Sequence, residues 1–157
     1  MADSENKLEI LSKIARELNR KNVAWAVGGS ALLYFKGIVM AFRDIDVMVS
    51  EEDAEVAKAV LMPLGSLKAS APNTKYKTKH FYQFVVSGVD IDVMAGFAVI
   101  NQGREYHFPL EKENIKDCAE ANGIRIPLQS VEEWRRYYEL MGREDKVKLI
   151  DAYLHSP

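Results

Sequence analysis

Near the N-terminus, Leu8, Leu11, Ile14, Ala15 and Leu18 recur at three- and four-residue steps, the spacing of a helix with one buried face. Asp3 or Ser4 stands where its cap belongs. The period then changes. Val23-Ala24-Trp25-Ala26-Val27 is a continuous apolar run that ends in Gly28-Gly29-Ser30, which predicts a buried strand entering a tight turn. Ser30 opens a short helix through Lys36, and Gly37 stops it. From Arg43 to Val49 the chain alternates, with β-branched residues at Ile45, Val47 and Val49, so a strand with one polar face is expected. Ser50-Glu51-Glu52-Asp53 reads as a capped, acidic helix start leading into Ala54 to Leu61.

Downstream, residues 63–79 are polar, broken by proline and carry four lysines, a loop by composition. Phe81 to Val86 and Val89 to Met94 flank Ser87-Gly88, a plausible hairpin turn. Ile115 to Ala121 and Ile124 to Leu128 flank Asn122-Gly123, a strong hairpin signal that favours two strands over a helix there. Ser130-Val131-Glu132-Glu133 has the form of a capping box opening a helix to about Met141. Gly142 breaks it, and Arg143 to Leu154 make a final helix. No internal repeat or low-complexity segment interrupts this order. The order predicts an α+β fold, a small mixed β-sheet with flanking helices and C-terminal helices.

Composition narrows the function classes. At 157 residues the chain suits one domain with a single core. Its 21 Lys+Arg against 23 Asp+Glu give a formal charge of −2, which disfavours gripping nucleic acid by bulk charge and leaves a local basic groove open. Cys118, the one cysteine, can form neither an internal disulfide nor a thiolate zinc site. The N-terminus is charged from the start, unlike a signal peptide. No apolar stretch approaches the roughly 18–20 residues of a membrane span. The expectation is a cytoplasmic protein without a membrane partner.

Two features carry candidate chemistry. Gly28-Gly29-Ser30, between a strand and a helix, allows close backbone approach to a ligand. The exposed N–H groups and the Ser30 hydroxyl suit a phosphate; the plainer alternative is a tight turn between packed elements. The second feature is Asp44-Ile45-Asp46, whose carboxylates share one strand face while Ile45 and Val47 take the other. Val89-Asp90-Ile91-Asp92-Val93-Met94 repeats that pattern. If the two strands are neighbours, facing carboxylates about 5 Å apart repel by about 3 kcal/mol at an effective dielectric of ~20. A divalent cation would relieve that repulsion. An all-oxygen donor set suits Mg²⁺ or Mn²⁺ better than zinc. Alternatively, the acids form the solvent face of half-exposed strands.

The order of these features, with thirteen residues between Ser30 and Asp44, resembles the nucleotidyltransferase superfamily related to DNA polymerase β. It is most similar to the small stand-alone members, the minimal nucleotidyltransferases and antibiotic adenylyltransferases. The resemblance implies one nucleotidyltransferase-like domain over 1–157, with a core over about 5–100 and a C-terminal hairpin and helices over about 110–155. It implies that Gly28, Gly29 and Ser30 hold the β- and γ-phosphates of a nucleoside triphosphate, ATP by preference. Asp44, Asp46 and Asp92 would be the catalytic, metal-binding carboxylates, with Asp90 as alternate to Asp92. The implied reaction moves a nucleoside monophosphate onto a hydroxyl of a small molecule or protein, releasing pyrophosphate. In the C-terminal helices the family pattern has a lysine and an aspartate where this chain has Tyr138 and Lys146. Those departures motivate a second reading, a catalytically inactive member acting as a nucleotide- or protein-binding module. A homodimer or a partner protein is compatible with a small open sheet.

Other residues read as ordinary structure. His80, His107 and His155 have no ligand spacing. Lys75, Lys77 and Lys79 alternate beside the hairpin, either as a solvated face or as a phosphate or acceptor clamp. Trp25 reads as core, and Trp134, Tyr137 and Tyr138 as helix packing. Arg104, Tyr106 and His107 lie close enough in sequence to line a pocket, without a motif to say so. Arg43 alternates away from Asp44 and is expected to be structural.

Overall fold

The computed structural model describes residues 4–69 and 76–156. The predicted N-cap Asp3 and Lys75 of the lysine alternation lie outside them. Helix α1 (Ser4–Arg20) buries Leu11, Ile14, Ala15 and Leu18 completely, the face its periodicity predicts. Strand β1 (Trp25–Gly28) is buried along its length, and Trp25 is core, its indole N–H donating to Asn19. Helix α2 (Gly29–Phe35) begins two residues earlier than predicted, with Gly28 rather than Ser30 at its N-cap. Gly29 takes φ +60°, the left-handed region where a side chain is strained.

Strand β2 (Ile45–Val49) is shorter than predicted and leaves Arg43 and Asp44 before its start. Ser50 precedes a 3₁₀ turn (Glu51–Asp53), and its hydroxyl donates to Asp53 instead of capping the backbone. The Asp53 carboxylate also accepts the Ala24 N–H, tying this turn to the entry of β1. Helix α3 (Ala54–Leu61) follows. The segment expected to be loop contributes β3 (Ser66–Leu67), and Tyr76 bridges to Val99.

Strands β4 (His80–Val86) and β5 (Val89–Ala95) form the predicted hairpin. A second hairpin, β6 (Phe97–Asn101) and β7 (Arg104–Phe108), was not anticipated. Its turn, Gln102-Gly103, has positive φ at both residues, as do Ser87-Gly88 and Asn122-Gly123. All three are the turn that follows strand twist, but Gln gives no turn signal of its own. Strands β8 (Asp117–Ala121) and β9 (Ile124–Leu128) confirm the Asn122-Gly123 hairpin.

Seven strands join one mixed sheet in the order β3-β4-β5-β2-β1-β9-β8, while β6 and β7 stand apart as a two-stranded sheet. At its centre β2 lies antiparallel to β1 and parallel to β5. Ile45, Val47, Ile91 and Val93 from β2 and β5 are fully buried, which fixes the register because a one-residue slip would turn all four toward the acidic face. Helix α4 (Val131–Met141) starts at the predicted capping box, Ser130 and Glu133 satisfying each other's backbone N–H groups. Gly142, at φ +77°, ends it, and α5 (Glu144–Leu154) returns alongside. Among the described residues, no helix is long and apolar enough to cross a membrane.

Candidate active site

The parallel pairing of β2 and β5 sets Asp46 directly opposite Asp92, about 4.8 Å apart at the backbone. Asp44, just before β2, joins them in lining one cleft of about 420 Å³, with Ser30 at its edge. All three carboxylates are half-buried. The neighbouring acid of the same strand goes elsewhere. Asp90 faces the outer end of the sheet, where Lys68 reaches it at 3.1 Å. Asp92 lines the cleft, whereas Asp90 pairs with Lys68.

The electrostatics follow from that packing. Burial, then the charges of Asp92 and Asp44, pushes the Asp46 carboxyl up to about 7. Burial and the charge of Asp44 hold Asp92 up at about 6, against a hydrogen bond with Gln83 that lowers it. Like charges enclosed together without a cation raise each other's pKa in this way. Among the described residues no three His, Cys, Asp or Glu side chains are drawn close enough to cage an ion by themselves. The donor set lining the cleft is carboxylate oxygen, the ligand type that Mg²⁺ takes alongside water and substrate phosphates. It fits zinc poorly, since zinc prefers a closed set of nitrogen and sulfur ligands.

The two glycines are required by the protein's own side chains. A Cβ on Gly28 would fall 2.3 Å from the Trp134 indole nitrogen, and one on Gly29 would fall 1.9 Å from Asp46 Oδ2. The turn thus seats the Asp46 carboxylate against the start of α2 and α4 against the end of β1. Trp134 is locked there by donating to the buried Gln129 at 2.6 Å and by stacking on Phe97. The helix-packing reading of Trp134, Tyr137 and Tyr138 holds, since each is at most 5% exposed. Yet Trp134 and Tyr138 also form cleft wall.

The cleft also gathers residues that the linear pattern did not. Arg43 lines it, contrary to the expectation of a structural role, because β2 begins at Ile45 and strand alternation does not extend back to residue 43. Arg143 and Lys146 reach it from the α4–α5 corner, and Tyr76 from beside the 70–75 segment. The Tyr76 hydroxyl donates to Met141 Sδ. Burial and then Asp46 raise the pKa of both Tyr76 and Tyr138, while Arg143 lowers it. Of the lysines in the alternating segment, Lys79 pairs with Glu51 at 3.2 Å. Arg104 and Arg136 lie over the Tyr106 ring, outside the cleft.

The mixed sheet and its helices match solved structures of the nucleotidyltransferase class. A protein from Thermotoga maritima, TM1012, provisionally assigned to that class, superposes with a TM-score of 0.76 at 24% identity, covering 99% of this chain and 97% of that one. Residues 10–152 match the aminoglycoside-2″-adenylyltransferase family, and the chain belongs to that family. ANT(2″)-Ia, solved with adenylyl-2″-tobramycin, matches with a TM-score of 0.62 at 13% identity over 96% of this chain and 90% of that one. The lincosamide antibiotic adenylyltransferase LnuA, solved with lincomycin, gives 0.61 at 14% identity over 92% and 96%. Among curated proteins, none matches the sequence.

Proposed function

We propose that this protein is a metal-dependent nucleotidyltransferase that moves a nucleoside monophosphate from a nucleoside triphosphate, ATP by preference, onto a hydroxyl group. The observation that carries the reading is the register of β2 on β5, which holds Asp46 against Asp92 beside Asp44 and the Gly28-Gly29-Ser30 turn. Family membership supports nucleotidyl transfer as the reaction type. Asp44, Asp46 and Asp92 would hold Mg²⁺ or Mn²⁺, which when bound lowers the acceptor's pKa and offsets charge on the departing pyrophosphate.

The remaining work falls to the chain itself. Gly28, Gly29 and Ser30 hold the β- and γ-phosphates. The acceptor oxygen attacks the α-phosphorus; the bond from that phosphorus to the oxygen bridging to the β-phosphate breaks, and pyrophosphate leaves. Asp92 takes the hydroxyl proton, given its place in the cleft lining beside Asp44 and Asp46. Positioning and preorganised charge supply most of the acceleration in such reactions. In the test, protein and labelled triphosphates are incubated with Mg²⁺ or Mn²⁺ and a panel of hydroxyl acceptors, beside Asp44→Ala. Metal-dependent nucleotide binding and pyrophosphate release, both lost in the variant, are expected. No binding of any triphosphate with either metal would sink the reading.

A second reading draws on Tyr138 and Lys146, which occupy the cleft where the family pattern has a lysine and an aspartate. On it the protein binds nucleotide without turning it over and serves as a sensing or protein-binding module. Nucleotide binding without pyrophosphate release, unchanged by Asp92→Asn, would favour it.

A further inference from the structure

A single cross-strand row of the sheet runs through the site. Gly28 on β1 lies opposite Asp46 on β2, Asp46 opposite Asp92 on β5, and Asp92 opposite Gln83 on β4. Directly paired residues point to the same face, so Gln83 stands beside Asp92 on the cleft side and joins the cleft lining. Its backbone turns the other way, the Gln83 carbonyl accepting the Lys68 N–H at 2.7 Å. Gln83 and Asp92 are therefore a non-hydrogen-bonded antiparallel pair, the kind whose Cα atoms approach to about 4.5 Å and whose side chains lie closest. The two side chains are hydrogen-bonded. An ionised carboxylate only accepts, so the Gln83 amide N–H is the donor.

That contact settles something the backbone leaves open. Fully buried Ile91, Val93 and Phe84 hold the strands around Asp92 in place, but the last torsion of an aspartate is soft, so its oxygens need a partner to orient them. In its row Asp92 has one neighbour that repels it, Asp46, and one that binds it, Gln83. The chemistry of residue 83 suits that task. A lysine there would compete with a divalent cation for the carboxylate, and a glutamate would add a fourth acid to the cleft. A carboxamide donates a hydrogen bond and brings no charge. On the basis of the transferase reading, we propose that Gln83 is a positioning residue that engages one Asp92 oxygen and leaves the other to the metal and the acceptor hydroxyl. Hydrogen-bond partners of metal-binding side chains are typically worth 10- to 100-fold in metal affinity or activity.

The experiment compares wild type, Gln83→Met and Gln83→Asn. Mn²⁺ binding is titrated by electron paramagnetic resonance, with and without ATP, and pyrophosphate release is measured with ATP, Mg²⁺ and the panel of hydroxyl acceptors. Met fills nearly the volume of Gln and donates nothing. Asn is one methylene short but keeps the donor, within reach across so close a pair. Gln83→Met is expected to bind Mn²⁺ about tenfold more weakly and to lose at least about tenfold in kcat, with KM for ATP unchanged. Gln83→Asn is expected to recover most of both. A role in packing alone predicts the opposite order, with Met tolerated and Asn the worse variant. Mn²⁺ held by Gln83→Met as tightly as by wild type overturns the inference, as does Gln83→Asn performing no better than Gln83→Met. If no acceptor is turned over, the Mn²⁺ titration decides on the same terms. A wild type that binds no Mn²⁺, with or without ATP, sinks the transferase reading and the inference with it, whereas wild-type binding matched by Gln83→Met sinks the inference alone.

Discussion

Two regions of this molecule treat charge in opposite ways. In the α4–α5 hairpin, several charges are paired: Arg135 reaches Asp151 at 2.5 Å and Glu139 at 3.2 Å, Arg143 holds Asp145, and Glu133 closes the capping box. Asp145 and Asp151 are held below the ordinary carboxylate range by those hydrogen bonds. On β2 and β5, Asp46 and Asp92 are pushed upward instead, because they face each other in register with burial and like charge as their surroundings. A sheet that needed only stability would carry apolar or paired side chains at those positions. On the proposed function, the contrast falls where chemistry would need a local rule broken without local compensation.

The sharpest way to break the comparison is Asp46→Asn. Turnover is expected to fall on the order of 10³-fold, the scale of losing one preorganised electrostatic contact, read by pyrophosphate release. Stability should move the other way. A carboxyl whose pKa is raised on folding binds more protons in the folded state than in the unfolded one between about pH 4 and 7, so its contribution to stability declines as pH rises through that window. In the absence of divalent cation, the variant should be more stable than wild type above pH 7 by roughly 2 kcal/mol, measured by urea melts. A variant that is less stable at pH 8 would refute the strain reading of the acidic face.

Gly29→Ala should be nearly as damaging, through packing. It combines a positive φ with a Cβ 1.9 Å from Asp46, an expected loss of about 3 kcal/mol. Gly123→Ala has a similar φ of +78° and nothing within 4 Å, so about 1–2 kcal/mol is expected there. Equal losses in urea melts would mean that the Asp46 contact is irrelevant. Smaller still, Ser130→Ala removes the N-cap of α4 and should cost about 1 kcal/mol, with the pH dependence of stability unchanged. Last comes Asp151→Asn, whose exposed partner Arg135 retains Glu139. No measurable shift in midpoint is expected at high salt, since exposed pairs are screened.

Much of the architecture is legible in local pattern. The period of α1, the alternation through Asp46 and Asp92, the Asn122-Gly123 turn and the Ser130–Glu133 box are short-range signals, and the structure bears each of them out. What escaped has identifiable causes. The β6–β7 hairpin turns on Gln102, which offers no turn chemistry of its own at a positive φ. Ser30 was displaced from the cap because Gly28 and Gly29 already satisfy the corner. Arg43 lines the cleft because strand alternation begins only at Ile45, two residues beyond it.

The sequence by itself determined the two acidic strand faces and the glycine turn, because side-chain alternation and backbone freedom are properties of a few adjacent residues. Tertiary structure decided that β2 and β5 lie parallel in the register that opposes Asp46 to Asp92 and leaves Asp90 to Lys68. It also decided that Trp134 fills the space above Gly28 and that Arg143 and Lys146 close the far side of the cleft. Those contacts join residues 22 to 106 positions apart. They are fixed by the joint burial of whole faces, which no local window of sequence contains.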